Sequence, residues 1–166
     1  MKVIFLDIDG VLCSIDYMNA RHFKFRSDVH TGKEKYPIKD CDVGDEFGNY
    51  FDDRCVLYLE SILNFTGAKI VISSTWRKKG LQRMKNLWDY RYLPGEVVGI
   101  TPVLNKSRGE EIEEYLQLND DITSFVIIDD NDDMLFYQHL DFVKTNSRFG
   151  LTLDDAQKAI KILNNE

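Results

Sequence analysis

The run Val3-Ile4-Phe5-Leu6-Asp7-Ile8-Asp9-Gly10 decides the fold of this 166-residue chain. Four apolar residues follow one another without alternation, which suits a strand buried on both faces, as in a parallel sheet. The run then stops at two acids and a glycine. The same design recurs twice: Ile70-Val71-Ile72 stops at Ser73-Ser74-Thr75, and Phe125-Val126-Ile127-Ile128 stops at Asp129-Asp130-Asn131-Asp132-Asp133. Weaker runs are Glu96-Val97-Val98 and Phe142-Val143.

Between these runs the apolar period changes to that of a helix. Residues 53–66 align Cys55, Leu59, Ile62, Leu63 and Thr66 on one face and stop at Gly67. Residues 78–91 align Leu81, Met84, Leu87 and Trp88; residues 108–118 follow a Ser107/Glu110 capping box and bury Ile112, Tyr115 and Leu116. Residues 153–163 start after Thr152 and align Leu153, Ala156, Ile160 and Leu163. Strands alternating with helices predict an α/β domain, a central parallel sheet with helices on both faces. Nothing marks a second domain, so residues 1–166 are read as one, with a long loop over 13–52 that shows no clean period.

The composition bounds the function. The net charge of −7 argues against a non-specific nucleic-acid binder. Locally, however, Arg21, Lys24, Arg26, Lys33, Lys35 and Lys39 outnumber Asp28 and Glu34, and His22, His30, Tyr17, Phe23, Phe25 and Tyr36 interleave with them. Such a segment is most often simply a soluble loop. Cys13, Cys41 and Cys55 are odd in number, widely spaced and without a CxxC pair, which fits neither a disulfide framework nor a zinc site; Cys13 reads as a packed thiol. No apolar run is long enough for a secretory leader or a membrane span. A cytoplasmic, reduced, soluble protein without a membrane partner is expected, with a monomer favoured over an oligomer.

In open parallel sheets ligands bind beyond the carboxyl ends of the strands. Those ends carry Asp7, Asp9, Ser74, Asp129 and Asp130, and they converge if the first strand lies between the other two. Carboxylates crowded into one crevice repel unless protonated or joined by a cation. Oxygen ligands suit Mg²⁺, which commonly shares substrate phosphate oxygens. Of two neighbouring acids, one can attack as a nucleophile while the other donates and then abstracts a proton. A Ser74 hydroxyl can bond a phosphoryl oxygen, and Lys106 or Arg108, at a helix start, can neutralise it. Trp76-Arg77 is either a substrate platform or a buried Trp beside a solvated Arg; the second is expected.

Four stretches, FLDIDGV (5–11), KIVISSTW (69–76), KSRGEEI (106–112) and FVIIDDNDD (125–133), resemble in order the motifs of the haloacid dehalogenase (HAD) superfamily of phosphotransferases. SSTWR, TPVLNKSRGEEIEEYL and VIIDD further resemble the small HAD domains of Swiss Army Knife RNA-repair proteins. The resemblance implies a three-layer, Rossmann-like fold with the 13–52 insert in place of a large cap. It implies Asp7 as the nucleophile that becomes an aspartyl-phosphate, and Asp9 as general acid/base that lends its backbone carbonyl to Mg²⁺. Ser74 would hold the phosphoryl group, with Thr75 and Arg77 also on the substrate. Lys106 or Arg108 would supply the charge, and Asp129 and Asp130 would complete the metal site. Three adjacent hydroxyls leave the second motif's register open by one, between Ser73, Ser74 and Thr75.

The expected activity is therefore Mg²⁺-dependent phosphomonoester hydrolysis. An open site suits a nucleic-acid end or a phosphoprotein, whereas a folded basic loop suits a nucleotide or other phosphorylated small molecule. Asp9 favours this over dehalogenation, since a leaving halide needs no proton. The alternatives are a single-turnover phosphoacceptor of the response-regulator type, which places its acid pair near the N-terminus, and a non-catalytic binding domain.

Overall fold

The computed structural model describes residues 1–30 and 43–165. In chain order its elements begin with β1 (Lys2–Leu6), α1 (Ile15–His30), β2 (Gly44–Asp45), β3 (Gly48–Asn49) and α2 (Asp53–Thr66). There follow β4 (Lys69–Ile72), α3 (Leu81–Tyr90), β5 (Val97–Ile100), α4 (Arg108–Gln117), β6 (Ser124–Asp129), β7 (Phe142–Lys144) and α5 (Leu153–Asn164). Two 3-10 turns, Thr75–Lys79 and Phe136–Asp141, precede α3 and β7.

Five strands form one sheet in the order β5-β4-β1-β6-β7, every pair parallel. β1 is central because its four apolar residues bury both faces completely. Its even positions, Ile4 and Leu6, join Ile70, Ile72, Val126 and Ile128 against Leu59 and Ile62 of α2, Met84 and Leu87 of α3, and Ala159 of α5. Its odd positions, Val3 and Phe5, join Val71 and Ile127 against Ile112 of α4. The result is a three-layer α/β fold of the Rossmann-like kind, with helices on both sheet faces.

The helix ends follow local chemistry. Asp52 caps α2 through Arg54 N–H at 3.0 Å, and Gly67 closes it in the left-handed conformation at φ 67°. The capping boxes of α4 (Ser107/Glu110) and α5 (Thr152/Asp155) are both formed. α3 starts later than the apolar period predicts, because Gly80 at φ 92° separates it from the preceding 3-10 turn. Leu153, expected on the buried face of α5, is half exposed at the helix start.

The stretch 13–52 is corrected most. Its lack of a clean period predicts a loop, yet it holds the 16-residue α1 and the small antiparallel β2–β3 hairpin. The apolar period of α1 is weak, because His22 and Arg26 interrupt the helical spacing of Ile15, Met18, Phe25 and Val29. The signal lay in its first turn: the Ser14 hydroxyl accepts from Tyr17 N–H at 3.2 Å, and Asp16 favours the helix dipole. Of the basic stretch, residues 31–42, with Lys33, Lys35, Tyr36, Lys39 and Cys41, lie outside the described residues. No helix among the described residues is long and apolar enough to cross a membrane.

Candidate active site

The parallel register brings the three polar strand ends together. Past the last paired residues, Asp7 N–H donates to Ile128 O at 3.0 Å, while Ser73 and Ser74 N–H donate to Leu6 O at 3.0 and 3.3 Å. Asp7 therefore stands between the end of β4 and the end of β6. Its carboxylate and those of Asp129 and Asp130 each place an oxygen within 4.8 Å of the others. Asp7 and Asp129 are buried, and Asp130 is half-buried.

This trio is electrostatically costly as bare carboxylates. Burial, then the negative charge of Asp7, pushes Asp129 up to about 7. The same two causes raise Asp130. Asp129 Oδ1 accepts from Asn131 N–H at 2.9 Å, but its Oδ2 is buried without a hydrogen-bond partner. Arg108 Nη1 is 3.0 Å from that Oδ2, close enough for charge attraction but not aligned for a hydrogen bond. An orphaned oxygen inside a three-carboxylate cluster fits a hard divalent cation bound by oxygen.

Gly10 makes the cluster possible. Its φ of 77° suits glycine, and a Cβ there would lie 2.4 Å from Asp130 Cγ. Thr145 locks the turn from β7's side, its hydroxyl donating to Gly10 O at 2.9 Å.

Arg108 and Lys106, alternatives in the sequence, separate here. Arg108 Nη1 donates to Asp7 Oδ1 at 3.2 Å, whereas Lys106 is exposed. Burial works against the Arg108 charge, but Asp129 and Asp7 hold its pKa above the ordinary value. The α4 N-terminus is not open to an outside anion as its position suggested. Asp133 fills it, accepting from Arg108 N–H at 3.0 Å through Oδ2 and from Gly109 N–H at 3.1 Å through its carbonyl. Asp132 pairs with Lys144 at 2.8 Å instead.

Asp9 stands apart from the trio. Its side chain is exposed at the mouth, and Oδ2 accepts from Trp76 Nε1 at 2.9 Å. Burial around the group, together with Asp7, raises its pKa, while the indole bond lowers it. Asp7, Asp9, Thr75, Arg108 and Asp130 border a cavity of about 620 Å³, to which α1 adds Met18 and His22.

Of the three hydroxyls, Thr75 is exposed on that cavity. Ser74 is buried and caps the 3-10 turn, its Oγ accepting from Trp76 N–H at 3.4 Å. Ser73 Oγ is buried without a partner.

The Trp76-Arg77 expectation is reversed. Trp76 is half-buried, and Arg77 is the buried residue, 3% exposed. Arg77 donates to Ser73 O, to Ser74 O at 2.9 Å and to Thr101 O at 3.2 Å, and pairs with the buried Glu111 carboxylate. It thus ties the ends of β4 and β5 to α4, and its guanidinium is taken up by protein. Burial lowers its pKa against the opposing pull of Glu111. Glu111 also accepts from Leu104 N–H at 2.7 Å. Sequence reasoning missed Glu111 entirely, because an acid on an amphipathic helix reads as solvated. The bond from Trp76 to Asp9 is likewise invisible in the sequence, because it joins residues 67 positions apart.

Cys13 and Cys55 are packed thiols, both pushed up to about 12 by burial. No curated protein and no solved structure gives a match to the chain. The model of the HAD domain in Swiss Army Knife RNA repair proteins matches residues 3–156. With its motifs converging at the carboxyl ends of the central strands, the chain belongs to that HAD domain family.

Proposed function

We propose that the protein is a Mg²⁺-dependent phosphohydrolase that acts on a phosphomonoester through an aspartyl-phosphate. The observation that carries this reading is the buried Asp7 carboxylate at the end of β1, 3.2 Å from Arg108 and grouped with Asp129 and Asp130. Asp7, Asp129 and Asp130, with the Asp9 backbone carbonyl, would hold the ion. When bound, Mg²⁺ supplies positive charge against the phosphoryl oxygens and the crowded carboxylates.

The chain's own residues then divide the work. Asp7 attacks phosphorus as the bond to the leaving oxygen breaks, and Asp9 gives that oxygen a proton. Asp9 next takes a proton from water, which attacks phosphorus and frees Asp7. Arg108 neutralises the charge that spreads over the transferred group. Thr75 donates from the cavity wall. Ser74 accepts from Trp76 N–H and so retains its own O–H to donate.

Hydrolysis of p-nitrophenyl phosphate with Mg²⁺ tests the reading. Many turnovers per chain, abolished by a chelator and restored by Mg²⁺, are expected. A single turnover would make the protein a phosphoacceptor, and no turnover a binding domain.

A further inference from the structure

A second cavity, of about 460 Å³, lies beside the catalytic one. The two share elements residue by residue. On α1, Met18 and His22 border the first cavity, and Tyr17 and Arg21 border the second. At the end of the hairpin, Asn49 borders the first and Tyr50, the next residue, the second. The aromatic chain is also continuous: Trp76, bonded to Asp9, sits 5.9 Å from Phe51, which borders the second cavity.

The second cavity is built from alternating π faces and guanidinium planes. Arg21 lies 4.9 Å from the Tyr50 ring centroid, and Arg91 lies 5.5 Å from Tyr50 and 4.7 Å from Phe51. Arg91 is held rigidly by Asp45, at 2.9 and 2.7 Å, and by the carbonyls of Gly48 and Asn49. It shapes the wall and is not available to a phosphate. Asp53, exposed at the same cavity, repels one. With Arg91 neutralised by Asp45, and Arg21 and Asp53 opposite in charge, this side carries no net charge and suits an uncharged planar group better than a phosphate.

Tyr92 adds an independent observation. It follows α3 at φ 53°, a left-handed position where helices usually carry Gly or Asn. α2 and α5 end on Gly67 and Asn165 in that conformation. Here the chain instead places a tyrosine, 94% exposed, at the cavity. A bulky residue in a disfavoured conformation, with its ring in solvent, points to function over packing.

We propose that this cavity is a nucleobase subsite, stacking the base of a nucleotide or nucleic-acid end whose phosphate lies against Asp7 and Arg108. It rests on the phosphohydrolase reading for the phosphate's place, but base binding does not require turnover. Aromatic and guanidinium planes stack any base, so little base preference is expected.

The test is calorimetric titration of the full chain with adenosine, which has no phosphate, and with a single-stranded pentanucleotide. Asp7→Asn, which disables attack, should bind adenosine as the parent does. Tyr92→Gly deletes the ring at a φ that glycine adopts freely, so the fold is retained, and affinity should fall about fivefold or more. A pentanucleotide bound more tightly than adenosine monophosphate titrated alongside, with steep salt dependence, identifies a strand as occupant; equal affinities of these two identify a mononucleotide. No adenosine binding at ~1 mM, unchanged affinity in Tyr92→Gly, or N-acetyltyrosinamide bound as well as adenosine would overturn the proposal. Base binding without phosphatase turnover would leave this subsite standing and remove the catalytic reading alone.

Discussion

Trp76 Nε1 donates a 2.9 Å hydrogen bond to Oδ2 of Asp9 across 67 residues of sequence. The ring is steadied by Phe51 and by Gly48, where a Cβ would come within 2.8 Å of it. The residue assigned proton transfer is thus aimed by a donor held in place from a different strand end. Trp76→Phe keeps the ring and removes the donor. Its kcat should fall about tenfold or more with KM nearly unchanged, since the bond orients a group needed in the transition state. Steady-state kinetics on p-nitrophenyl phosphate checks this; an unchanged kcat denies Trp76 a positioning role.

Asp7→Asn should abolish turnover while the circular dichroism spectrum stays that of the parent. The amide matches the carboxylate in shape, and the Arg108 guanidinium loses only one of the two carboxylates it pairs with. Retention of more than a few per cent of activity would remove Asp7 from the nucleophile's role.

Gly10→Ala should harm both folding and metal use. The left-handed φ costs about 1–2 kcal/mol for a non-glycine residue, and the new methyl collides with Asp130. Thermal melts with and without Mg²⁺ should show a lower Tm and a smaller rise on adding the ion. Asp130→Ala, which creates no clash, should raise the Mg²⁺ concentration needed for half-maximal activity without the same loss of Tm.

The Arg77–Glu111 pair is buried on both sides. Removing one partner leaves the other's charge uncompensated, at a cost of about 3–5 kcal/mol. Arg77→Met and Glu111→Leu should each lower stability by that order in urea unfolding, and the double variant by clearly less than their sum. Additive losses would show that the two side chains do not act as a unit.

Cys13 and Cys55 yield a pH prediction. Their folded pKa values, about 12, lie above the ordinary thiol value. The stability gained by keeping these thiols neutral is full below about pH 8.5 and is lost as pH rises toward 12. In a Cys41→Ser background, both should resist a thiol reagent at pH 8 in the folded protein and react on unfolding. Rapid labelling of the folded chain would contradict the burial.

The layer architecture was legible because its signals are local. An unbroken apolar run such as 3–6 marks a doubly covered strand, and Ser107 with Glu110 marks a helix start, whatever surrounds them. The acids at the strand ends were legible for the same reason. α1 was not, since its apolar spacing is interrupted by His22 and Arg26 and only the cap at Ser14 marks its start.

What only the tertiary structure decided are the pairings. Arg108 over Lys106 at Asp7, Asp133 at the α4 N-terminus, Arg77 inside and Trp76 on Asp9 each join residues distant in sequence. Arg108 and Asp7 stand 101 residues apart. A residue's own identity sets which bonds it can make, but burial sets which of them it must make. Burial depends on which strand ends come to lie side by side.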